Sequence, residues 1–403
     1  MSKKEDVVIV GGGIVGLASA FQILKSRPEI NLTLIEKEKF VAQHQSGHNS
    51  GVIHSGLYYK SGSQKALNCL LGYKLILEFC EEYSIPYEIC GKIVVATSDV
   101  EAIRLNVLYE RGIANGLSGL KFVNTDEIRD IEPHCLGVRG LLVPQTGIVD
   151  YSLIAMKYEE LLLKMGANIL KGERVNDIKK NGSYFEVIGD SQSKVSKVVI
   201  TCAGLYSDHL ALKTDLNLPL RIIPFRGEYY KFKANAPKLV KNLIYPVPDP
   251  NLPFLGVHFT RMMNGQIECG PNAVFAFGRE SYNKKDINFH ETLDALKWPG
   301  FRILIKRYWR LGLFEYYRSF SKAAFVRSLQ KLIPDVRADY LEEGHAGIRA
   351  QACDNEGNLL DDFDIRSYGK LLHICNAPSP AATASLAIGQ KIANNAINLL
   401  SLK

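Results

Sequence analysis

The stretch Val7-Val8-Ile9-Val10-Gly11-Gly12-Gly13-Ile14-Val15-Gly16, with Glu36 twenty residues beyond its last glycine, constrains this chain more than any other. Val7 to Val10 is an unbroken apolar run, as a strand buried on both faces of a parallel sheet requires. Residues 14–25 then carry Leu17, Phe21 and Leu24 at helical spacing. Gly11-x-Gly13-x-x-Gly16 falls at the join. The first glycine permits the tight turn, the second lets a pyrophosphate approach the backbone, and the third lets helix and strand pack closely. The helix N-terminus then faces the phosphates. Residues 31–36 read as a second strand, ended by Glu36 where a carboxylate can hold the hydroxyls of an adenosine ribose. Strand, helix, second strand and acid together predict a dinucleotide site. They do not say which dinucleotide.

At 403 residues the chain is long enough for two domains, or for one domain with a substantial insertion. Its 46% hydrophobic and 23% charged residues exclude long disorder. The eight cysteines are scattered without a Cys-x-x-Cys pair, which argues against a zinc site or an iron–sulfur cluster, so no metal is expected. Free thiols in a reducing cytoplasm are the simplest expectation. The polar residues 1–6 run straight into the first strand and leave no room for a signal or transit peptide. Residues 371–390 lack charge apart from His373, but Asn376, Pro378 and Pro380 argue against a membrane span. A net charge of +7 suits an anionic substrate or a membrane surface and does not by itself indicate nucleic acid. No recognised nucleic-acid motif accompanies it.

Residues 40–62 interleave histidines, glycines and small polar residues too closely for one regular helix or strand. Placed directly after the second strand, they predict a loop over whatever binds at the first turn. Helices are predicted over 66–83 and 100–115, from an Asn124 cap to Glu132-Pro133, and from an Asp150 cap to Gly166. Strands are predicted over 93–96, 140–144, 167–175 and 184–187, the last in a hairpin turned by Asn181-Gly182. Residues 198–204 repeat the apolar-strand-then-glycine pattern ahead of a helix over 205–212, returning the chain to the first domain. Between 221 and 269 the pattern alternates like an antiparallel sheet. A buried strand over 371–376 and a last helix over 379–400 close the chain.

Segments 47–59, 223–230, 253–261, 270–273, 346–352 and 376–389 together resemble the L-2-hydroxyglutarate oxidase/dehydrogenase family. That family belongs to the D-amino-acid-oxidase-like FAD enzymes. The most specific motifs are His54-Ser55-Gly56-Leu57-Tyr58-Tyr59 and Asn376-Ala377-Pro378-Ser379-Pro380-Ala381-Ala382-Thr383. The resemblance implies an α/β fold: a FAD-binding Rossmann-like domain with an inserted α+β antiparallel-sheet substrate domain. The FAD-binding domain would be discontinuous, over 1–85, 145–218 and 340–403, and the substrate domain would comprise 86–144 and 219–339. Gly11, Gly13 and Gly16 would hold the FAD pyrophosphate, and Glu36 with Lys37 would bind at the adenosine ribose. The loop through Ser46, Asn49, Ser50 and Gly51 would run along the cofactor. Val175 would meet the adenine, Ala203 and Gly204 would pass the pyrophosphate, and Ala381, Ala382 and Thr383 would aim free amides at the pyrimidine end of the flavin. A helix N-terminus there would stabilise the negative charge left by hydride arrival.

The implied reaction is oxidation of L-2-hydroxyglutarate, a small dicarboxylate 2-hydroxy acid, to 2-oxoglutarate, with electrons passing to oxygen or a membrane quinone. A base must take the hydroxyl proton, and a neutral imidazole suits that task. His54 in the loop and His258 in the inserted sheet are the candidates, with His48 behind them. Arginine holds carboxylates through paired hydrogen bonds. Arg349 is the first choice, at the catalytic centre as well as on the substrate, followed by Arg226 and Arg261, with Tyr59 as a further substrate contact. Arg226 shares a strand face with Glu228, and the structural alternative for it is an ion pair with Glu228 or a domain-bridging contact. His258 and Arg261 fall on opposite faces of a regular strand. An alternative within the same cofactor class is an amine oxidase of the glycine or sarcosine type.

Residues 298–327 hold both tryptophans, seven basic residues and one acid, Glu315. At helical spacing Phe301, Leu304, Ile305 and Tyr308 line one side and Arg302, Lys306 and Arg310 another. Such a segment suits either a peripheral contact with the cytoplasmic face of an anionic membrane or packing against the substrate domain with a solvated basic face.

Overall fold

The computed structural model describes residues 4–214 and 217–402; residues 1–3, 215–216 and 403, which fall inside the expected FAD-binding limits, lie outside them. Two large sheets divide the chain. In the first, the strand Glu5–Val10 lies between Leu32–Glu36 and Ser193–Thr201, parallel to both. Asn168–Lys171 extends the sheet beyond Leu32–Glu36. Ser193–Thr201 is long enough to pair along its outer edge with Tyr184–Gly189 and then with Leu371–Asn376. Both faces of this sheet are covered. Val7 and Ile9 pack towards the helices Ile14–Ser26 and Ser385–Ser401, while Val8, Val10, Ile35 and Val199 enter a second core behind. Two covered faces explain why these strands do not alternate.

The second sheet has nine strands. Its spine is the long strand Leu220–Phe232, paired antiparallel along its length with Leu341–Asp354. Ile267–Gly270, His258–Arg261, Leu243–Pro246, Lys92–Ala96 and Arg139–Val143 continue it in that spatial order. One junction, Leu243–Pro246 with Lys92–Ala96, is parallel in an otherwise antiparallel sheet. Leu341–Asp354 belongs here, so the chain leaves this sheet after 354 and not at 340 as expected.

Strand alternation gives the second sheet two unlike faces. Tyr230, Phe232, Phe259, Cys269, Ile93 and Val95 enter an outer core closed by Phe325 and Leu329 of the helix Lys322–Leu329. The intervening residues include Lys92, Tyr229, Tyr245, His258, Thr260 and Glu268, and stand on the other face. Val94, Ala96 and Leu243 on that same face enter a further apolar core, while Tyr229 lines a cavity shared with the first sheet. A small sheet of Val52–Ile53, Gly147–Val149 and Tyr87–Glu88 ties the two together.

The expected basic segment over 298–327 is two helices, Pro299–Phe320 and Lys322–Leu329, and the first breaks at Tyr308 (φ −120°, ψ 20°). Phe301 and Leu304 pack on Ile223 and Cys353, but Ile305 is 41% exposed and does not join them. No helix among the described residues is long and apolar enough to cross a membrane. All eight cysteines are free thiols.

Candidate active site

One cavity of about 1090 Å³ runs from the glycine turn to the polar face of the second sheet. Its size suits a cofactor with room for a small substrate. At the nucleotide end the backbone does the shaping. Gly11 has φ +112°, and a Cβ there would strike the Cys202 carbonyl; one at Gly16 would strike the Gly11 carbonyl. Gly16 does not line the cavity, as befits a packing glycine, whereas Gly11 and Gly13 do. Gly13 caps the first helix, and the Ser46 hydroxyl accepts the Ile14 amide at 2.9 Å. Glu36 accepts from the Gly12 amide (2.6 Å) and the Glu38 amide (2.9 Å) and still faces the cavity. Its carboxylate therefore holds the glycine turn and stays on the cavity wall.

Lys37 also lines the cavity, but its ammonium is held by Glu38 (2.6 Å), His44 (2.8 Å) and Glu280. Glu38, His44 and Glu280 are the group among the described residues with metal-ligand spacing, and the ammonium contacts all three. Asn49 and Ser50 line the loop side; Asn49 ties the loop by accepting the Gly51 amide and donating to the Ser46 carbonyl. Gly51 lies off the cavity, where its φ of +64° turns the chain against the Val149 carbonyl. Val175, Ala203 and Gly204 line the far end.

Ala381, Ala382 and Thr383 line the cavity from the opposite wall. They precede the last helix, which begins at Ser385 and not at 379 as expected. The Ala381 amide donates to the Pro378 carbonyl and the Ala384 amide to the Pro380 carbonyl, while the cavity-lining Ala382 and Thr383 amides have no acceptor among the described residues. Thr383 is fixed by Tyr151 (2.7 Å) and accepts the His54 amide at 3.1 Å. A glycine cradle, a helix N-terminus, an acid at the ribose position and free amides opposite fit a flavin dinucleotide.

The second sheet supplies the other end. His54 and Arg349 line the cavity, and His258 lies one step behind, stacked on Tyr245 with ring centres 4.1 Å apart. His258 Nδ1 is 3.0 Å from the Gly256 carbonyl. A carbonyl can only accept, so Nδ1 carries the proton and Nε2 keeps its lone pair. Burial, with help from Arg349 and Lys92, pushes the His258 pKa down to about 4. Burial first, then Lys92, His258 and Lys65, pushes that of His54 down to about 3. Both imidazoles are therefore neutral acceptors at pH 7. His48 also lines the cavity, edge-on to Tyr282, with Nδ1 buried and unpartnered.

Arg349 is half-buried with its guanidinium 5.1 Å from the Phe254 ring centre, and no ion pair neutralises it among the described residues. Tyr59 lines the cavity beside Lys65, which pairs with Asp361 at 2.6 Å. The two remaining arginines are placed elsewhere. Arg226 is 3% exposed, pairs with Glu228 at 3.0 Å and donates to the Ser281 and Asn283 carbonyls. Arg261 bonds Glu88 (2.5 Å) and Asn242. Neither lines the cavity, so the expected substrate role of both is corrected to structural pairing. The strand parity that separates His258 from Arg261 accounts for the second. Sequence reasoning missed Lys92, Tyr229 and Tyr245; the signal was present in strand parity, but only the sheet order makes these residues neighbours.

A family model described as FAD dependent oxidoreductase matches residues 6–395. The L-2-hydroxyglutarate dehydrogenase of Indibacter alkaliphilus is 53% identical over 384 residues, covering 95% of this chain and 96% of that protein. The mitochondrial L-2-hydroxyglutarate dehydrogenase of Nematostella vectensis is 47% identical, covering 100% and 92%, and the Escherichia coli K12 L-2-hydroxyglutarate dehydrogenase is 41% identical, covering 98% and 94%. Among solved structures, the FAD-bound L-α-glycerophosphate oxidase of Mycoplasma pneumoniae aligns with a TM-score of 0.79 at 23% identity, covering 100% of this chain and 96% of that one. Glycine oxidase from Geobacillus kaustophilus aligns at 0.75 and 18%, covering 98% and 95%. At such identities these two structures speak for the fold alone.

Proposed function

This chain belongs to the FAD dependent oxidoreductase family, among its L-2-hydroxyglutarate dehydrogenases, and on that premise we propose that it oxidises L-2-hydroxyglutarate to 2-oxoglutarate. The observation that carries the reading is the unneutralised Arg349 guanidinium, set with the neutral His54 in the same cavity as the glycine turn and with the neutral His258 one step behind its wall. Bound FAD supplies the acceptor for the hydride that leaves C2.

The protein's residues do the rest. Arg349 takes the carboxylate next to C2 through paired hydrogen bonds and so fixes which face of C2 meets the cofactor. A neutral imidazole, at His54 or at His258 Nε2, accepts the hydroxyl proton as the carbonyl forms. A dianion beside these rings favours the imidazolium and thereby strengthens the base once substrate is seated. Tyr59 closes the pocket from the loop side. The Ala382 and Thr383 amides on the cavity wall would hold the cofactor there, as donors to negative charge.

Electrons then pass to oxygen or a membrane quinone, from a cytoplasmic protein lying on the membrane surface. Supporting that placement, Trp309, Leu313, Phe314, Tyr317 and Phe320 on the helix Pro299–Phe320 are each 50–72% exposed. Arg302, Lys306 and Arg310 on the same helix are exposed too. Anaerobic mixing with each enantiomer of 2-hydroxyglutarate tests the reaction: the L form alone should bleach the oxidised flavin. Bleaching by glycine or sarcosine but not by L-2-hydroxyglutarate would overturn it in favour of amine oxidation.

A further inference from the structure

Lys92 opens the strand Lys92–Ala96, whose Ile93 and Val95 enter the outer core, so its side chain stands on the polar face. It is 3% exposed. The ammonium lies 4.2 Å from the centre of the Tyr58 ring and 5.1 Å from that of Tyr245. Tyr58 lines the cavity; Tyr245 carries His258. No carboxylate answers this cation among the described residues. The neighbouring Cys69 thiol, which burial keeps protonated and which donates to the His54 carbonyl, offers it no counter-charge. Burial holds the Lys92 pKa down to about 7, the mark of an ammonium without a partner.

Among the cations that line the cavity, three have carboxylate partners, while Arg174 and Lys213 stand at the nucleotide end; Lys92 itself sits behind Tyr58 and not on the lining. Lys65 pairs with Asp361, Arg104 with Asp249 at 3.6 Å, and Lys37 with Glu38 and Glu280. Arg111 spends a donor on the Tyr58 carbonyl at 2.8 Å. Arg349 and Lys92 remain on the polar face without an ion pair, and His258 feels both charges. Burying an unpaired charge is costly, and retaining two beside one pocket makes sense if the missing anions arrive with the ligand.

We propose that Lys92 determines specificity for doubly anionic substrates: through the Tyr58 ring it supplies the positive charge that the distal carboxylate meets, while Arg349 holds the carboxylate at the reacting carbon. This rests on the dicarboxylate reading above. An ammonium in contact with an aromatic face gains some stability from the ring. It still projects its field into a pocket of low dielectric, where a carboxylate several ångströms away feels it strongly.

The test uses FAD-loaded wild type, Lys92→Met, Lys92→Gln and Lys92→Arg. Binding of glutarate and of pentanoate is read from the perturbation of flavin absorbance, and turnover is followed with L-2-hydroxyglutarate and L-2-hydroxyvalerate. Lys92→Met should weaken glutarate and raise KM for L-2-hydroxyglutarate by roughly 10- to 100-fold. Pentanoate binding and turnover of the monocarboxylate should stay unchanged. Lys92→Arg should recover most of the loss. The ligand-free Lys92→Met protein should melt no lower than wild type, because an apolar chain of similar volume replaces an unpaired charge. Equal losses for mono- and dicarboxylates, no loss for either, or a lowered melting temperature in both neutral variants would each overturn the proposal. Wild type that binds glutarate yet is not bleached by L-2-hydroxyglutarate would defeat the reaction instead, with the glutarate–pentanoate contrast still deciding Lys92.

Discussion

The two ends of the cavity are built on opposite principles. At the nucleotide end the backbone is the binding surface, and nearly every polar group is already satisfied: Glu36 by two amides, Ser46 by the helix terminus, Asn49 by its own loop. At the substrate end side chains from separate strands converge, and charges are left open on Arg349 and Lys92. A cofactor common to many enzymes is gripped by turn geometry. The substrate is chosen by unpaired charge.

The sharpest way to break this contrast is Gly16→Ala. The new methyl meets a backbone carbonyl that cannot move aside, so strand and helix must separate. We expect a loss of about 3 kcal/mol or more of stability and a protein purified without FAD, read from the 450 nm absorbance and thermal melting. FAD occupancy equal to wild type would show that the glycine spacing is not what holds the nucleotide.

Arg349→Met tests the other end. It should leave FAD content intact and lower kcat/KM by roughly 100- to 1,000-fold, because the carboxylate beside C2 loses its paired donors. Arg226→Met should do the reverse. It leaves the buried Glu228 carboxylate to Asn272, Ser319 and the more distant Lys284, at a cost of about 2–3 kcal/mol of stability, while kcat/KM per folded molecule changes little. If Arg226→Met lost activity at full stability, the corrected assignment would have to be withdrawn.

These cases also show what the sequence made legible. The glycine turn, Ser46 and Glu36 are local: a strand, a turn and a helix lie within some forty residues, and the periodicities identify each. Lys92, Tyr245, His258 and Arg349 become neighbours only through a sheet whose strand order runs against chain order, and one junction, between residues 92–96 and 243–246, is parallel. Parity alone said which face each residue takes but not which strand stands beside it. It did pair Arg226 with Glu228 as one of two readings, and the buried ion pair is the one the structure holds. The last helix starts later than its pattern suggests because 381–384 already turn like a helix without completing its hydrogen-bond ladder.

The substrate end also makes a smaller prediction about pH. A catalytic base works when neutral, and both candidate histidines have depressed values, about 3 for His54 and about 4 for His258. The acid limb of kcat/KM, which reports the free enzyme, should therefore lie below pH 5 and not near the ordinary imidazole value of about 6.5. Replacing the working histidine with asparagine should slow flavin reduction by roughly 100-fold or more, while replacing the other spares it. An acid limb near 6.5 in wild type would mean that the base is a solvent-exposed histidine.

The smallest effect concerns a surface far from either end. Phe301 and Leu304 anchor the helix Pro299–Phe320 to the second sheet, so its exposed aromatics are not needed for that packing. Beyond the break at Tyr308 the helix presents Trp309, Leu313, Phe314 and Tyr317 to solvent. Apolar area attracts such a helix to any bilayer, while Arg302, Lys306 and Arg310 add attraction only where lipids are anionic, at about 1 kcal/mol per basic residue. Reversing all three to glutamate should therefore abolish flotation with phosphatidylserine vesicles and leave kcat/KM unchanged with a soluble acceptor. Reduction of a quinone held in the vesicles should fall in step with binding. Retained flotation would assign the basic face to solvation alone and leave the membrane contact to the exposed aromatics.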